Sequence, residues 1–178
     1  MSRNEIRIAG AGGQGVVTAG RILAEAAILS GSNATHSQVY GPQSRGGASR
    51  SDVVISSDEI GFPLADNIDL LIVLSAEAYT RYEPELRHGG RLIVDSRCAP
   101  DDLDKTASQF AVVDRARAIS GGQLVTGVVA LGVLQALEPV VEIEALREAV
   151  AARVPARHRD MNLEALQAGG QLVGGVRV

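Results

Sequence analysis

Three glycines near the start of the chain have the spacing of a turn that binds phosphate. Gly10, Gly12 and Gly15 fit the pattern G-x-G-x-x-G and follow the short apolar segment Glu5–Ala9. Such a turn joins a strand to a helix, and the first backbone N–H groups of that helix can bind an anion. The candidate binding residues of this turn are Gly10, Gly12, Gly13, Gln14 and Gly15. Taken alone, the pattern indicates a dinucleotide-binding dehydrogenase.

The remaining parts of a dinucleotide site are missing from the sequence. The ribose of NAD is normally held by an acidic residue about 20 positions further on, at the end of the second strand. The segment Asn33–Gln38 occupies that place and contains no carboxylate, and it has no arginine for a 2′-phosphate. No Lys-Ser or Lys-Thr pair follows the turn, so it is not a P-loop. Two explanations then fit the glycines equally well: close packing of the helix on its strand, or contact with a ligand or partner.

A second glycine-rich segment, Tyr40–Ala48, contains three glycines and a proline and is therefore predicted to be a loop. Its candidate residues are Tyr40, Arg45, Gly46 and Gly47. An arginine beside glycines can present its guanidinium as a fork to a carboxylate or a phosphate. The loop therefore suits an anionic ligand or an acidic side chain of a partner, and a solvated arginine is the simpler alternative.

No other residues have the spacing of a catalytic or metal site. The histidines His36, His88 and His158 lie far apart, and no serine forms a recognisable set with His and Asp. The single cysteine, Cys98, allows no disulfide within the chain and cannot by itself bind an iron–sulfur cluster. We therefore predict no catalytic residue, no metal site and an inert Cys98.

The composition argues against nucleic-acid and membrane partners. The net charge is −4, aromatic residues make up 3% of the 178 residues, and no apolar stretch approaches the roughly 20 residues that cross a bilayer. The first residues, Met1–Glu5, lack the apolar core of a signal peptide. We expect one domain over residues 1–178 and a cytoplasmic protein.

The glycine turn and the loop must be positioned by a sheet, because strands and helices alternate through the first two thirds of the chain. The predicted strands are Glu5–Ala9, Asn33–Gln38, Arg50–Ser56, Asp69–Leu74, Arg91–Asp95 and Phe110–Val113. The first of them is expected at the centre of the sheet, and the apolar run within Asp69–Leu74 is typical of a strand buried on both faces. The predicted helices are Gln14–Ser30, a helix capped by Ser75 that runs to Arg87, Gln123–Leu137, Glu142–Val154 and Asn162–Leu172. Gly31 is expected to end the first of these helices, and His88–Gly90 to end the second. The fold class is α/β, a Rossmann-like domain with a largely parallel sheet and a helical C-terminal third.

Several motifs occur together in one order and spacing. They are Gly10–Gly15, Tyr40–Ala48, Ser51–Ser56, Ile60–Pro63 and Asp69–Leu74. In this combination the chain resembles the gamma subunit of 2-oxoacid:ferredoxin oxidoreductases over nearly its whole length. The stretch Tyr40–Pro63 is most similar to the 2-oxoglutarate (ketoglutarate) branch. The stretch Gly121–Gly127 departs from the family pattern, in which an Asn commonly opens this segment.

The resemblance implies a non-catalytic subunit of a larger enzyme. In this family the complex converts a 2-oxoacid and coenzyme A to acyl-CoA, CO2 and reduced ferredoxin. Thiamine diphosphate, magnesium and the iron–sulfur clusters would lie in the partners, which are catalytic alpha and beta subunits and a ferredoxin-like delta subunit. The isolated chain would be inactive and hold no cofactor, and its two glycine-rich loops would dock the partners or contact coenzyme A.

The sequence leaves three alternatives. One is an independent nucleotide-binding Rossmann oxidoreductase, which rests on the glycine turn alone. Another is a homo-oligomeric regulatory module. The third is a gamma subunit of the pyruvate, branched-chain or indolepyruvate branch, since these branches share much of the same framework.

Overall fold

The computed structural model describes residues 3–39 and 47–174. The strands in these residues are β1 (Asn4–Ala11), β2 (Asn33–Val39), β3 (Ala48–Ser56), β4 (Ile68–Val73), β5 (Leu86–Asp95) and β6 (Ser108–Phe110). The α-helices are α1 (Val16–Leu29), α2 (Ala76–Tyr82), α3 (Val112–Ser120), α4 (Thr126–Leu137), α5 (Ile143–Arg153) and α6 (Arg159–Gly174). The alternation confirms the predicted α/β class, and α3 to α6 form its helical C-terminal third.

The strands form one sheet in the order β2-β3-β1-β4-β5-β6. Parallel pairing joins β1 to β4, β4 to β5, and β5 to β6. Strand β3 lies between β1 and β2 and runs antiparallel to both. The sheet is therefore largely parallel, as predicted, with an antiparallel β2–β3 pair on one side. The carboxyl end of the central strand β1 lies at the same edge as the connection from β2 to β3.

The two faces of the sheet pack against different layers. Ile6 and Ile8 of β1 point into the larger core, which also contains buried residues of α1, α4, α5 and α6. Ala9 points the other way, into a smaller core with Tyr82 of α2. This alternation is the period of two that a strand imposes on its side chains. The central strands are therefore covered on both sides, which agrees with the apolar run predicted for β4.

Helix α1 confirms the predicted helix Gln14–Ser30 and ends where the glycine was expected to end it. The N–H of Gly31 donates to the carbonyl of Ile28 at 3.0 Å, and that of Ser32 donates to the carbonyl of Ala27 at 2.9 Å. Gly31 has a φ of +83°, which a glycine adopts without a steric cost. This pair of bonds is a Schellman motif, so the glycine satisfies the last carbonyls of the helix.

The helix after Ser75 is shorter than predicted. Ser75 does cap it, because its Oγ accepts the N–H of Ala78 at 3.3 Å, but α2 ends at Tyr82 and a 3-10 turn over Glu83–Glu85 follows. The turn contains Pro84, which lacks the N–H needed to continue the helix. The segment His88–Gly90, predicted to stop the helix, lies instead in β5 as an irregularity of its pairing with β4.

The last strand is also shorter than predicted, and helix α3 was not expected. Strand β6 ends at Phe110, and α3 begins at Val112. The buried carboxylate of Asp95 holds this junction, because it accepts the N–H of Val113 at 2.8 Å and that of Arg97 at 3.0 Å. The apolar pair Val112–Val113 resembles the end of a strand in sequence, but a distant carboxylate satisfies the first turn of a helix there.

Candidate functional site at the glycine turn

The glycine turn lies at the carboxyl edge of β1 and leads directly into α1. Gly13 and Gly15 have φ values of +86° and +73°, in the left-handed region that favours glycine. Helix α1 begins at Val16, immediately after the turn. The first N–H groups of a helix have no partner within it and carry the positive end of its dipole. This arrangement confirms the predicted strand–turn–helix unit.

Gln14 ties the turn to two other elements. Its side chain is 3% exposed, and its Oε1 accepts the N–H of Ala11 at 2.7 Å while its Nε2 donates to the carbonyl of Leu74 at 2.9 Å. Its own carbonyl accepts the N–H of Gly127 at 2.8 Å. Gln14 therefore joins the ends of β1 and β4 to the start of α4, and its amide is not accessible to a ligand in this arrangement.

The glycines of the motif are present for different structural reasons. A Cβ on Gly10 would lie 2.4 Å from Gln14 Oε1, and a Cβ on Gly15 would lie 2.8 Å from the carbonyl oxygen of Leu124. These two glycines are required by packing. Among the described residues, a Cβ on Gly13 would meet nothing within 4 Å, but its positive φ favours glycine. Gly12 has neither reason, because its Cβ would meet none of the described residues within 4 Å and its φ is not in the left-handed region.

A groove of about 310 Å³ opens in front of Gly12. Its walls are the rest of the glycine turn, the first turn of α1, Ser49 of β3 and Leu124. The side chain of Leu124 is 72% exposed, which is unusual for a large apolar residue beside a groove. The groove thus combines the first turn of helix α1 with an exposed apolar side chain.

The second glycine-rich segment returns to the same edge of the sheet. Tyr40, Arg45 and Gly46 lie outside the described residues, and Gly47 is described with a φ of +101°. The next residue, Ala48, pairs with Ala11 of β1. The described carboxyl end of this segment, Gly47–Ala48, therefore lies beside the glycine turn.

Ala48 is also held by α2, and Ser49 contributes to the groove. The N–H of Ala48 donates to Glu77 Oε1 at 3.2 Å, and Ser49 pairs with Gly10. These contacts bring Ser49, Glu77 and Leu124 into or beside the site, and none of them was singled out from the sequence. Their approach depends on strand pairing between distant segments, which no local pattern indicates.

The sheet order excludes the usual arrangement of a dinucleotide site. In such a fold the second strand lies directly beside the first, so that its carboxyl end meets the ribose. Here β3 separates β2 from β1. The segment Asn33–Gln38 thus lacks the acidic residue and also lies one strand too far from the glycine turn.

Similarity to known proteins extends over almost the whole chain. The family model for pyruvate ferredoxin/flavodoxin oxidoreductase matches residues 5–172. This chain belongs to that family. The 2-oxoglutarate synthase subunit KorC of Methanothermobacter marburgensis is 40% identical to it over 184 residues, covering 96% of this chain and 97% of the relative.

Solved structures agree with this assignment. The gamma subunit of a keto/oxoacid ferredoxin oxidoreductase from Geobacter sulfurreducens PCA is 39% identical, with a TM-score of 0.85 and 98% of each chain covered. The 2-oxoglutarate:ferredoxin oxidoreductase of Magnetococcus marinus, solved with 2-oxoglutarate, coenzyme A and succinyl-CoA bound, contains the same fold, with a TM-score of 0.87 at 22% identity. That match covers 99% of this chain and 32% of the other. The predicted resemblance is confirmed: the chain is a gamma-type subunit of a 2-oxoacid:ferredoxin oxidoreductase.

A buried ionic cluster lies behind the site of this gamma-type chain, on the α2 face. Arg7 of β1 donates to both carboxylate oxygens of Asp52, at 2.7 and 3.0 Å, and also pairs with Glu85. The guanidinium carbons of Arg7 and Arg50 lie 5.4 and 5.6 Å from the ring centre of Tyr82. Burial alone would lower the pKa of Arg7, but Asp52 and Glu85 outweigh it and raise the pKa. The cluster fixes β1 against β3, and sequence reasoning missed it although β1 and β3 each carry two charged residues.

Two further titratable groups, Cys98 and His36, have shifted pKa values. Burial and the adjacent charge of Asp95 raise the pKa of Cys98 to about 11, which is far from a reactive thiolate. His36 lies 2.7 Å from Ser51 Oγ, and burial, together with the charge of Arg21, lowers its pKa. Within residues 3–39 and 47–174, no group of His, Cys, Asp and Glu has the arrangement of a metal site. In the same part of the chain, no helix combines the length and hydropathy of a membrane span.

Proposed function

We propose that this chain is the gamma subunit of a complex that converts 2-oxoglutarate and coenzyme A to succinyl-CoA and CO2, with ferredoxin as the electron acceptor. The 40% identity to a 2-oxoglutarate synthase subunit over nearly the full length of both chains supports this substrate. The pyruvate, branched-chain and indolepyruvate branches are the alternatives. Assays of the purified complex with each 2-oxoacid would distinguish them, and a preference for any acid other than 2-oxoglutarate would overturn this assignment.

In this proposal the chain supports assembly and supplies no catalytic group. Thiamine diphosphate, magnesium and the iron–sulfur clusters belong to the alpha, beta and delta subunits, and electrons leave through ferredoxin. The single cysteine with its raised pKa is consistent with a chain that holds no cluster. The isolated chain is therefore expected to be inactive. The complex to which it belongs is expected to be cytoplasmic.

The observation that carries the docking role is the open space in front of Gly12. Packing explains Gly10 and Gly15, and backbone conformation explains Gly13, but no contact within residues 3–39 and 47–174 explains Gly12. Glycine at such a place permits close approach of another molecule to the backbone. The exposed Leu124 beside it suits a protein surface, because large apolar side chains dominate the centres of interfaces. We assign this edge, with the Arg45 loop, to docking of the catalytic subunits.

Contact with coenzyme A is the second part of the proposal. The diphosphate of the coenzyme is an anion that suits the N–H groups at the start of α1. A groove of about 310 Å³ lies at the lower end of the range for small-molecule sites. It would therefore hold only part of the coenzyme, with the rest lying against a partner subunit.

Affinity purification of the chain from its native host tests the proposed complex. We expect subunits that carry thiamine diphosphate and iron–sulfur clusters to co-purify, identified by mass spectrometry and by their absorption spectra. Recovery of the chain without such subunits would refute the complex. A stable homodimer that ignores them would favour a regulatory module instead.

Variants at the edge separate docking from coenzyme binding. Gly12→Leu fills the open space without touching the fold, and we expect at least about a ten-fold loss of affinity for the partner subunits at an unchanged melting temperature. Gly174→Leu, at another glycine whose Cβ would meet none of the described residues within 4 Å, is the matched control. For Arg45→Ala we expect weakened assembly. Intact assembly together with a raised KM for coenzyme A would show that the edge binds the coenzyme and does not dock the subunits.

An independent nucleotide-binding oxidoreductase is tested by thermal shift. The separation of β2 from β1 predicts no stabilisation of the isolated chain by NAD or NADP. A concentration-dependent rise in melting temperature with either nucleotide would contradict the subunit assignment of the glycine turn.

A further inference from the structure

The connection between β3 and β4 exposes two large apolar side chains at the edge opposite the glycine turn. Phe62 is 52% exposed and Leu64 is 51% exposed. They belong to residues 57–67, which include the motif Ile60–Pro63 that the assigned function does not use. The length of β1 separates the two edges by roughly 25 Å at about 3.3 Å per residue. A partner at this connection would therefore contact a surface distinct from the glycine edge.

The connection is held in place by side chains that bond its backbone. Arg3 donates to the carbonyls of Phe62 and Leu64 at 2.6 and 2.7 Å. Thr35 of β2 donates from its Oγ1 to the carbonyl of Pro63 at 2.7 Å. These bonds hold the main chain against the sheet, while the side chains of Phe62 and Leu64 point to solvent.

A buried carboxylate fixes the other end of the connection. Glu5 Oε2 accepts the N–H of Asp66 at 2.6 Å and that of Asn67 at 2.8 Å, and Glu5 also pairs with Arg3. Together with the bonds of Arg3 and Thr35, this preorganises the exposed apolar pair. Preorganisation lowers the entropic cost of binding, since the loop need not be ordered when a partner arrives.

All the charged residues of the connection, which surround the apolar pair, are acidic. Asp58, Glu59 and Asp66 are exposed, and residues 57–67 contain no lysine or arginine. The nearby Arg3 is engaged by Glu5 and by two carbonyls. The surface thus has an apolar centre and an acidic rim, and like charges would repel a second copy of itself.

We infer that Phe62 and Leu64, with this acidic rim, form a second docking surface for a partner subunit of the same complex. The partner presents an apolar pocket bordered by lysine or arginine side chains. This inference rests on the proposed function, because it takes the partner from that complex. In the assembled enzyme the chain is then held at two opposite edges of its sheet.

The test uses the complex and the full-length chain. The affinity of the chain for a complex depleted of it is measured for the parent and for Phe62→Ala, Leu64→Ala and Asp58→Lys. We expect each apolar truncation to lower the affinity about ten-fold or more, as for a central interface residue. Ile143→Ala is the matched control, because Ile143 is 46% exposed on a different part of the surface, and its affinity should stay within about two-fold.

The charge variant tests the basic rim of the partner. Asp58→Lys should lower the association rate and weaken its dependence on salt, since opposite charges steer association. Equal melting temperatures for the parent and all variants would show that lost affinity does not come from unfolding. Phe62→Ala and Leu64→Ala with parental affinity would overturn the docking surface.

The outcomes separate this inference from the proposed function. If the parent chain binds the partner subunits and the loop variants bind equally well, the second surface is wrong and the proposed function stands. If the parent chain binds no such subunits, the proposed function itself fails. A homodimer of the parent that Phe62→Ala dissociates would identify a second copy as the occupant and overturn the assignment to a partner subunit.

Discussion

Replacing Gln14 with alanine tests whether one buried amide holds together the edge of the sheet at the glycine turn. The change removes the acceptor for the Ala11 N–H and the donor to the Leu74 carbonyl. Both bonds lie where the ends of β1 and β4 meet the glycine turn. The truncated side chain also leaves space among buried atoms, because Gln14 is almost completely covered.

The expected cost follows from these two bonds. A net hydrogen bond contributes about 0.5–1.5 kcal/mol, and a buried group left without a partner costs about 1–3 kcal/mol. The loss for Gln14→Ala should therefore be about 2–4 kcal/mol in the free energy of unfolding. For a chain of this size, 1 kcal/mol moves the melting temperature by about 2–4 °C, so the expected decrease is roughly 5–15 °C.

Thermal unfolding followed by circular dichroism measures this decrease. Gln167→Ala is the matched control, because Gln167 is exposed on α6, and it should stay within about 0.5 kcal/mol of the parent. Gln14→Glu keeps an acceptor for Ala11 but turns a carboxylate oxygen toward the Leu74 carbonyl, so at neutral pH it should also destabilise. A melting temperature for Gln14→Ala within about 2 °C of the parent would refute the role given to this side chain.

Three further predictions concern the sheet. Gly20→Ala should cost about 1–3 kcal/mol in chemical denaturation, because its Cβ would lie 1.9 Å from Ser51 Oγ, and an unchanged midpoint would contradict this packing. Tyr82→Phe should be neutral or stabilising in the same assay, because the buried hydroxyl of Tyr82 has no hydrogen-bond partner in the described part of the chain, and a loss above about 1 kcal/mol would argue against that. Burial raises the pKa of Glu5, but the N–H groups of Asn67 and Asp66 and the pairing with Arg3 outweigh it, so the folded-state pKa lies below the ordinary 4.5. The stability that Glu5 contributes is thus present above pH 4.5 and is lost as the pH falls through the folded-state pKa. Glu5→Gln should therefore lower the free energy of unfolding at pH 7 and flatten its dependence on pH in that acid range. Parallel pH profiles for the parent and the variant would contradict this prediction.

The glycine turn illustrates how far sequence reasoning reached at the site. The spacing of Gly10, Gly12 and Gly15 predicts the strand, turn and helix correctly, because these depend on residues close together in the chain. It does not separate packing from contact with another molecule. That separation needed the neighbours of each Cβ, which come from Leu124, far along the chain, as well as from Gln14 within the turn.

The predicted bounds of helices and strands were wrong where residues distant in the sequence form hydrogen bonds with the backbone. Helix α3 begins at Val112 because Asp95, at the end of another strand, accepts the N–H of Val113. The apolar pattern of this stretch has no period long enough to show a helix. Likewise, pairing with β4 draws His88–Gly90 into β5, although the residue types are typical of a helix end.

The family membership, the α/β class and the position of the first strand at the centre of the sheet were all readable in the residue order. Each depends on local spacing, on apolar periodicity or on motifs that follow one another along the chain. The insertion of β3 between β1 and β2, the ion pair of Arg7 with Asp52 and the open space at Gly12 came from the folded molecule alone. These features join residues far apart in the sequence, and their free energy comes from pairing and burial that no single segment contains. For that reason the sequence indicated a subunit, while the fold determined which residues lie at the two edges that we propose for docking.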